Sequence, residues 1–441
     1  MGLRLSSWVE RLRASFFLLP VTAVVVAIGA GLASVAIDGW LDPDQTELPL
    51  GIGSTVESAR ALLGTIAGAT ITFAGIAFSI SLLVIQLASS QHSPRVTHTL
   101  FRDPFITRVI ATVVGTFTYC LIVLRSVRTP LEEGGDAVIP HLSVAIAVVL
   151  GIVAILAVVA LIDHNAHAMD ISEILDRVTR ETVAQIRKEW PSLDDEPGSS
   201  VEPPPPEPGT ARSVVRFDRS GWVQQIDTAA LLRCDPEGAT IVVASYPGRF
   251  AVEGAELASI SDAIDEDGVI EGRLRATVAI GKTRTMQQDV SYGLRQVVDV
   301  ALRALSPGVN DPTTAQDAIF HSTVVLAELL RHQPPPSVQA RDAGGWLILP
   351  EAPTHHDLVE LCFDEVRRAA APHPAVCIYL LEALRLLHES TRSSDARAAI
   401  RAQARYVVAG CAAAGLLPTD LDAVRAAHGS RFERNGPLTS T

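Results

Sequence analysis

No lysine occurs in the first 162 residues, where nine arginines stand against ten carboxylates. The whole chain of 441 residues carries −13, so about −12 of that charge falls after residue 162. A C-terminal part so short of clustered Lys and Arg is a poor partner for a phosphate backbone, which sets nucleic acid aside. Cysteine is also scarce. Cys120, Cys234, Cys362, Cys377 and Cys411 form no CxxC pair, no zinc-ribbon spacing and no paired framework. Cys120 falls in an apolar run, and the others suit a reducing compartment as small buried hydrophobes. Clustered His and carboxylates, a nucleophile elbow and a cofactor fingerprint are all missing. The chain is therefore expected to be no enzyme by itself and to need no cofactor. His321, His355 and His356 are read as ordinary surface residues.

Apolar residues, in contrast, make up 48% of the chain and are concentrated early. Phe16–Ile37, Ala61–Ala88 and Leu142–Ile162 are free of charge, and Val109–Leu124 extends back through Phe105, Ile106 and Thr107. A hydrocarbon core of about 30 Å needs roughly 20 such residues in a helix, so four spanning helices are expected. Arg4, Arg11 and Arg13 precede the first run, and Arg95, Arg102 and Arg108 separate the second from the third. Arg177, Arg180, Arg187 and Lys188 follow the fourth. The connection after the first run holds Asp38, Asp42, Asp44, Glu47 and Glu57 against Arg60. The one after the third mixes Arg125 and Arg128 with Glu132, Glu133 and Asp136. The positive-inside rule then places both termini in the cytoplasm of a bacterial inner membrane. Ser34-Val35-Ala36 resembles a signal-peptide cleavage site, but the run before it is longer than the usual 7–15 residues.

The second apolar run carries Thr65, Gly68, Thr72, Gly75, Ser79 and Gln86 at steps of three, four or seven. This draws one small, polar stripe spanning about 31 Å of helix. Ile71, Phe78, Leu82 and Ile85 are assigned to the opposite, apolar face. The third helix has a shorter echo in Thr112, Gly115, Thr116 and Tyr119, while the fourth is aliphatic and reads as lipid-facing. Small, hydroxylated residues serve close helix packing, and they also line water-filled paths. Both readings stay open. No charge sits mid-helix, which removes the usual signature of an ion relay.

Beyond the membrane part, His164, His167 and Asp170 are spaced for one face of a juxtamembrane helix running to about Trp190. A solvated stalk over 163–190 is the expected form, ahead of a metal site. Pro191–Thr210 contains four consecutive prolines and reads as a semi-rigid linker, 191–211. Short alternating runs at Ser213–Phe217, Gly221–Ile226, Thr240–Ala244 and Arg273–Ile280, with turn signals at Asp235-Pro236, Pro247-Gly248 and Asp267-Gly268, predict a small β domain over 212–283. Its glycine and aliphatic frame resembles the barrel-sandwich domains of the biotinyl and lipoyl type, but without a lysine to modify. Gly281-Lys282-Thr283 fits a relaxed phosphate-loop pattern, yet strand formers precede it where a Gly-rich loop is needed. A helical domain is expected over 284–432 and a disordered tail over 433–441, with helices near 284–305, 313–331, 355–371, 375–391, 395–414 and 418–427. Gly345–Leu349 adds a candidate strand. Arg295, Asp299 and Arg303 form an i, i+4 ladder with Asp289 about a turn away, read as a surface or subunit-contact run. Asp311 is placed to cap the next helix, with Pro312 at its first position.

Two groups of residues carry a family resemblance. Thr65-Ile66-Ala67-Gly68, Phe78-Ser79-Ile80 and Gln91-His92-Ser93-Pro94-Arg95 form the first. Arg284-Thr285, Gln288-Asp289, Gly293-Leu294-Arg295-Gln296 and the run from Ala304 through Asn310, Asp311 and Pro312 to Ala315 form the second. Together they resemble a bacterial family of predicted membrane proteins, domain of unknown function 2254. Asp163-His164 stands where that resemblance leads one to expect a His-His pair. The family brings no activity with it. The expected fold class is thus four transmembrane helices plus a cytoplasmic α+β domain, with a small β barrel-sandwich-like part followed by a helical part. The expected partners are the bilayer, further copies of the chain, and a small ion or solute. The functional expectation is an oligomeric channel or passive transport protein with a cytoplasmic regulatory domain; the alternative is a membrane-anchored sensor or scaffold.

Overall fold

The computed structural model describes residues 18–41, 55–91, 104–127, 140–168, 170–193, 212–234, 238–261, 269–341 and 344–433. Several features named above lie outside these residues: Arg4, Arg11, Arg13, Arg95, Arg102 and Arg128, the acidic residues from Asp42 to Glu47 and from Glu132 to Asp136, linker residues 194–211 and tail residues 434–441. The turn signals Asp235-Pro236 and Asp267-Gly268 do so too. The chain divides into two compact units, Met1–Asp170 and Ile171–Thr441.

The first unit contains α1 (Leu18–Leu41), α2 (Val56–Gln91), α3 (Pro104–Ser126) and α4 (His141–Ala168). Each is long and apolar enough to cross a membrane, with spans Leu18–Trp40, Val56–Ile80, Phe105–Ser126 and His141–His164. Lipid tails are as apolar as leucine, so these helices must be held by close packing and hydrogen bonds. Small residues supply the first. A Cβ on Gly31 of α1 would sit 2.9 Å from Ile122 of α3, and one on Gly151 of α4 would sit 3.1 Å from Ile66 of α2. Ala59, Leu63 and Ala67 of α2 join Tyr119, Cys120 and Val123 of α3 and Val144 and Ala147 of α4 in one core. A second core joins Ala77, Val109, Val113, Ala154 and Leu161.

Hydrogen bonds supply the rest, at one end of the bundle. The Asp38 carboxylate, near the end of α1, accepts from Leu142 N (2.8 Å), Ser143 N (3.0 Å) and Ser143 Oγ (2.6 Å) at the start of α4. It thereby satisfies amides that a helix N-terminus leaves without intrahelical partners. The buried Tyr119 hydroxyl lies 2.9 Å from Ser34 Oγ and donates to the Ser143 carbonyl. Arg60, at the start of α2, donates to the Val127 carbonyl just past α3. The polar echo on α3 is therefore spent on holding this bundle together, since Thr116 and Tyr119 are buried inside it.

The second unit begins with α5 (Ile171–Glu189). Ile174, Leu175, Val178, Thr182 and Ile186 fall on one face and are buried. That face packs against α8 (Val290–Ala304) and α9 (Pro312–Leu329). Ser172 meets Asp317, Thr179 meets His321 and Arg187 meets Glu328, so α5 and α9 run parallel. The region expected to be a solvated stalk is thus interrupted after Ala168, and from Ile171 onward it is core material of the second unit. The cause is its amphipathic pattern, whose apolar stripe needs a partner.

The β part is β1 (Arg212–Arg216), β2 (Gly221–Ile226), a short α6 (Thr228–Leu232), β3 (Ile241–Val243), β4 (Phe250–Ala251), β5 (Glu256–Ser261), α7 (Val269–Ala276) and β6 (Val278–Gly281). β7 (Val338–Ala340) and β8 (Trp346–Ile348) return to it after α9. One sheet has the order β1-β5-β3-β8-β7, the other β4-β2-β6. Val215, Val223, Ile226, Ile241, Ile260 and Leu347 lie in one core shared by both sheets, as in a sandwich. Two expectations change here. Arg273–Ile280 is half helix, because Glu271 and Arg275 pair at i, i+4 and Leu274 turns inward. The β part is also not confined to 212–283, because β8 pairs in parallel with β3.

Helices α10 (His355–Ala370), α11 (Pro374–Ser390), α12 (Ser394–Ala413) and α13 (Pro418–His428), with a closing π turn (Gly429–Glu433), complete the unit. All five cysteines are buried, and none forms a disulfide among the described residues. Glu382 on α11 holds this end together, pairing with Arg385 (2.6 Å) and with Arg431 (2.8 Å) of the π turn. The Arg385 and Arg431 guanidiniums lower its carboxyl from 4.5 to about 2. A depressed acid contributes stability above its unfolded-state value and loses it as pH falls toward the folded one. Stability measured in urea should therefore drop between about pH 4.5 and pH 2. Glu382→Gln should flatten that slope; an unchanged slope would remove Glu382 as its source.

Candidate functional site

Two features of the structure can carry function, one in each unit. In the first unit, Thr65, Gly68, Thr72, Gly75, Ser79 and Gln86 all lie on the outside of the bundle. They stand opposite the face of α2 that packs inward through Ala59, Leu63, Ala67, Thr70 and Ala77. A Cβ on Gly68 or Gly75 would meet nothing within 4 Å. The hydroxyls of Thr65, Thr72 and Ser79 donate to the carbonyls of Ala61, Gly68 and Gly75 one turn back, at 2.7–2.9 Å. Among the described residues the stripe thus packs against no other helix of its chain, and the glycines that do bring helices together are elsewhere. Ile71, Phe78 and Leu82, assigned from sequence to the opposite face, are also exposed and flank the stripe. A step of 100° per residue puts them beside it.

In the second unit the family-like residues divide into three places. Arg284 and Asp289 come together beside a cavity. β6 ends at Gly281, a loop follows, and Asp289 caps α8 by accepting from Tyr292 N at 3.1 Å. Arg284 Nε donates to Asp289 Oδ2 at 2.6 Å, and its guanidinium lies over the rings of Tyr292 (5.0 Å) and Trp222 (5.8 Å). Gln288 fixes the loop against β2: its Oε1 accepts from Ile226 N at 2.8 Å and its Nε2 donates to Ile226 O at 3.2 Å. Gly248, at φ +90°, backs onto the pair, and a Cβ there would overlap the Asp289 carboxylate. Only glycine fits, for its positive φ and for its missing side chain. Burial raises the Asp289 carboxyl above its ordinary value, against the opposing pull of Arg284.

The second place is mid-α8. Arg295 bonds Asp299 (2.8 Å) and takes both oxygens of Glu365 on α10 (2.8 and 2.9 Å). The ladder read as a surface or subunit contact is therefore a tie within the chain, and nothing in the sequence singled out Glu365. Arg303 lies exposed further along the same helix. The third place is the turn before α9. Asn310 adopts φ +48°, Asp311 caps the helix through Thr314 N (3.1 Å) and Thr314 Oγ1 (2.6 Å), and Pro312 is its first residue. This third group has a complete local explanation.

The cavity beside Arg284 measures about 510 Å³, within the usual range for small-molecule sites. The end of α5 gives it Glu189 and Trp190, the β layer gives Tyr246 and Pro247, and the segments around α10 give Pro336 and Leu358. Trp190 and Pro247-Gly248 were legible only as a helix end and a turn; chain folding alone brings them to Arg284. The phosphate-loop candidate is not one structurally, since Val278–Gly281 pairs with β2 and no helix begins until Val290. The His164 ring lies 4.6 Å from that of Phe105 at a tilt of 37°, and α4, which carries His164, ends before Asp170. Among the described residues no group of three or more His, Cys, Asp or Glu is placed to hold a metal. His321 bonds Thr179, His355 bonds the His332 carbonyl and His356 lies 3.3 Å from Glu360, all structural contacts.

The chain is 29% identical over 408 residues to two uncharacterised mycobacterial proteins, Rv1290c of Mycobacterium tuberculosis and Mb1321c of Mycobacterium bovis, covering 90% of this chain and 76% of each relative. No solved structure matches. The DUF2254 family, described as predicted membrane protein, matches residues 13–386, a stretch that includes all four spanning helices, the outward stripe and the Arg284–Asp289 loop. The chain belongs to this family of membrane proteins.

Proposed function

We propose that this membrane protein works as a homo-oligomer in which α2 of each copy faces the symmetry axis. A small ion or solute passes there without coupling to an energy source. The observation that carries this reading is the outward stripe. A row of hydroxyls and glycines along α2 lies opposite the chain's own packing face, while the interior of the described bundle is filled mainly by alanine, valine and leucine, with Tyr119, Cys120 and the buried hydroxyls of Ser34, Thr70, Thr116 and Ser143. Small and hydroxylated residues facing lipid gain nothing there, whereas facing another copy they permit close approach or line water. The arginine distribution puts both termini on the cytoplasmic side, and with them the C-terminal unit, whose cavity then serves as a regulatory input.

Cysteine at Thr72 or Ser79 in a Cys120→Ala background tests the assembly. Disulfide dimers should form at both positions and not at Val153, an exposed position on α4. Ile71 and Phe78 are poor controls because they too face outward. A monomer in both mild detergent and lipid discs would reject the reading. In reconstituted vesicles, Ser79→Trp should abolish ion or solute flux. The cavity favours a second reading, a membrane-anchored sensor without a path. Dimers that form without any flux would select that one.

A further inference from the structure

We propose that the cavity of the C-terminal unit binds a small organic monoacid, with its anionic group on Arg284 and its apolar body on the wall formed by Trp190, Tyr246 and Leu358. This rests on the reading of the cavity as a regulatory input and adds the chemical class of what enters it. Arginine carries five N–H donors in a planar fork. Only Nε of Arg284 is engaged, by Asp289; among the described residues no hydrogen-bond partner lies on Nη1 or Nη2. The ring contacts with Tyr292 and Trp222 hold the plane of the guanidinium without using those donors. The side chain is 27% exposed and lines the cavity, so the free edge of the fork is reachable from it. Two parallel donors on a fixed plane match a carboxylate or a phosphate monoanion. A pre-positioned arginine of this kind loses little freedom on binding, which favours affinity.

The rest of the lining limits what such a ligand can be. Trp190, Pro247, Pro336 and Leu358 give this part of the wall a largely apolar surface, which suits a ring or a branched chain. Two further carboxylates stand on the same lining. Glu189 is held by Lys188 and Gln185, each at 3.1 Å, and Asp357 by Thr354 N (2.9 Å) and Thr354 Oγ1 (2.8 Å). Both lie closer to solvent than Asp289. They repel a second acidic group, so a polyphosphate or a dicarboxylate is disfavoured where a monoacid is not.

The test uses the full chain in lipid discs with phenylacetate, its neutral amide phenylacetamide, and ATP as probes, read by ligand-observed saturation-transfer NMR and calorimetry. Phenylacetate should bind, the amide about tenfold more weakly, and ATP not at all, since the amide forfeits the charge-assisted pair. Ala352→Trp fills the half-buried wall of the cavity and should abolish binding without touching Arg284. The double variant Arg284→Ala, Asp289→Asn leaves no lone buried charge and should equalise acid and amide. Equal binding of acid and amide by the unaltered protein would overturn the proposal. So would binding that survives Ala352→Trp, or no binding of phenylacetate by folded protein. None of these results depends on flux through vesicles, so this inference and the conduction reading can fail separately.

Discussion

Arg284→Ala should cost the second unit about 3 kcal/mol, because it leaves a buried carboxylate without its cation. The Asp289 side chain is only 5% exposed. Gly248 closes off one side of it, and its remaining partner among the described residues is a single amide, Tyr292 N. Urea unfolding of the full chain in detergent, followed through the second unit, measures the loss. Its pH dependence identifies the cause. Without Arg284 the folded-state pKa of Asp289 rises further above the unfolded value. A raised acid is stabilising when protonated, so the variant should recover as pH falls and lose ground as pH rises through the folded value. Asp289→Asn added to Arg284→Ala should recover most of the loss at neutral pH. A loss that ignores both pH and Asp289→Asn would mean that the guanidinium matters through its packing on Tyr292 and Trp222.

Asp38→Ala should be the most damaging single change in the first unit, also at about 3 kcal/mol. One carboxylate there receives two backbone amides and a hydroxyl at the start of α4. A helix cap is worth about 1–2 kcal/mol and a hydrogen bond to a charged group about 1.5–3, and no water inside a membrane edge substitutes freely for them. Asp38→Asn keeps an acceptor and should lose less. Titration from mild detergent into a denaturing one, followed by circular dichroism, gives the difference. No shift for Asp38→Ala would show that α4 is placed by its aliphatic packing alone.

Asp38 also illustrates how far the sequence could be read. As an acidic residue after an apolar run it reported topology, and its partner at Ser143 could not be seen. Length and hydropathy delimit the four helices, because the bilayer thickness imposes a single period and length. Asp311-Pro312 marked the start of α9 to within a residue, whereas the helix expected from Arg284 begins at Val290, where Asp289 caps it after a loop. The strands were legible where alternation is long, as at Gly221–Ile226, and misread at Arg273–Ile280, where alternating Arg and apolar residues fit both periods. Of the cavity, only Arg284, Gln288 and Asp289 stood out. Trp190, Tyr246 and Leu358 are apolar residues like many others, and nothing local marks a residue that borders a void. The stripe on α2 was legible as a pattern. Its direction depended on which face the other helices cover, and that is a property of packing.

The pairing of Ile241 with Leu347 and of Val242 with Ile348 has a consequence for how the second unit is made. β3 leaves the ribosome long before β8, with α8 and α9 synthesised between them. Until β8 arrives, β3 presents an open edge able to recruit a strand from another chain. The sheet is therefore completed late, after the helices that carry the family's residues have been made, and slow closure of a long loop precedes the gain from pairing. Cutting the chain after β6 would yield a sheet missing its last two strands, and cutting it before β1 would strip α8 and α9 of α5, which packs against both. The family match, residues 13–386, accordingly contains β3 and β8 together with α5 and the membrane helices.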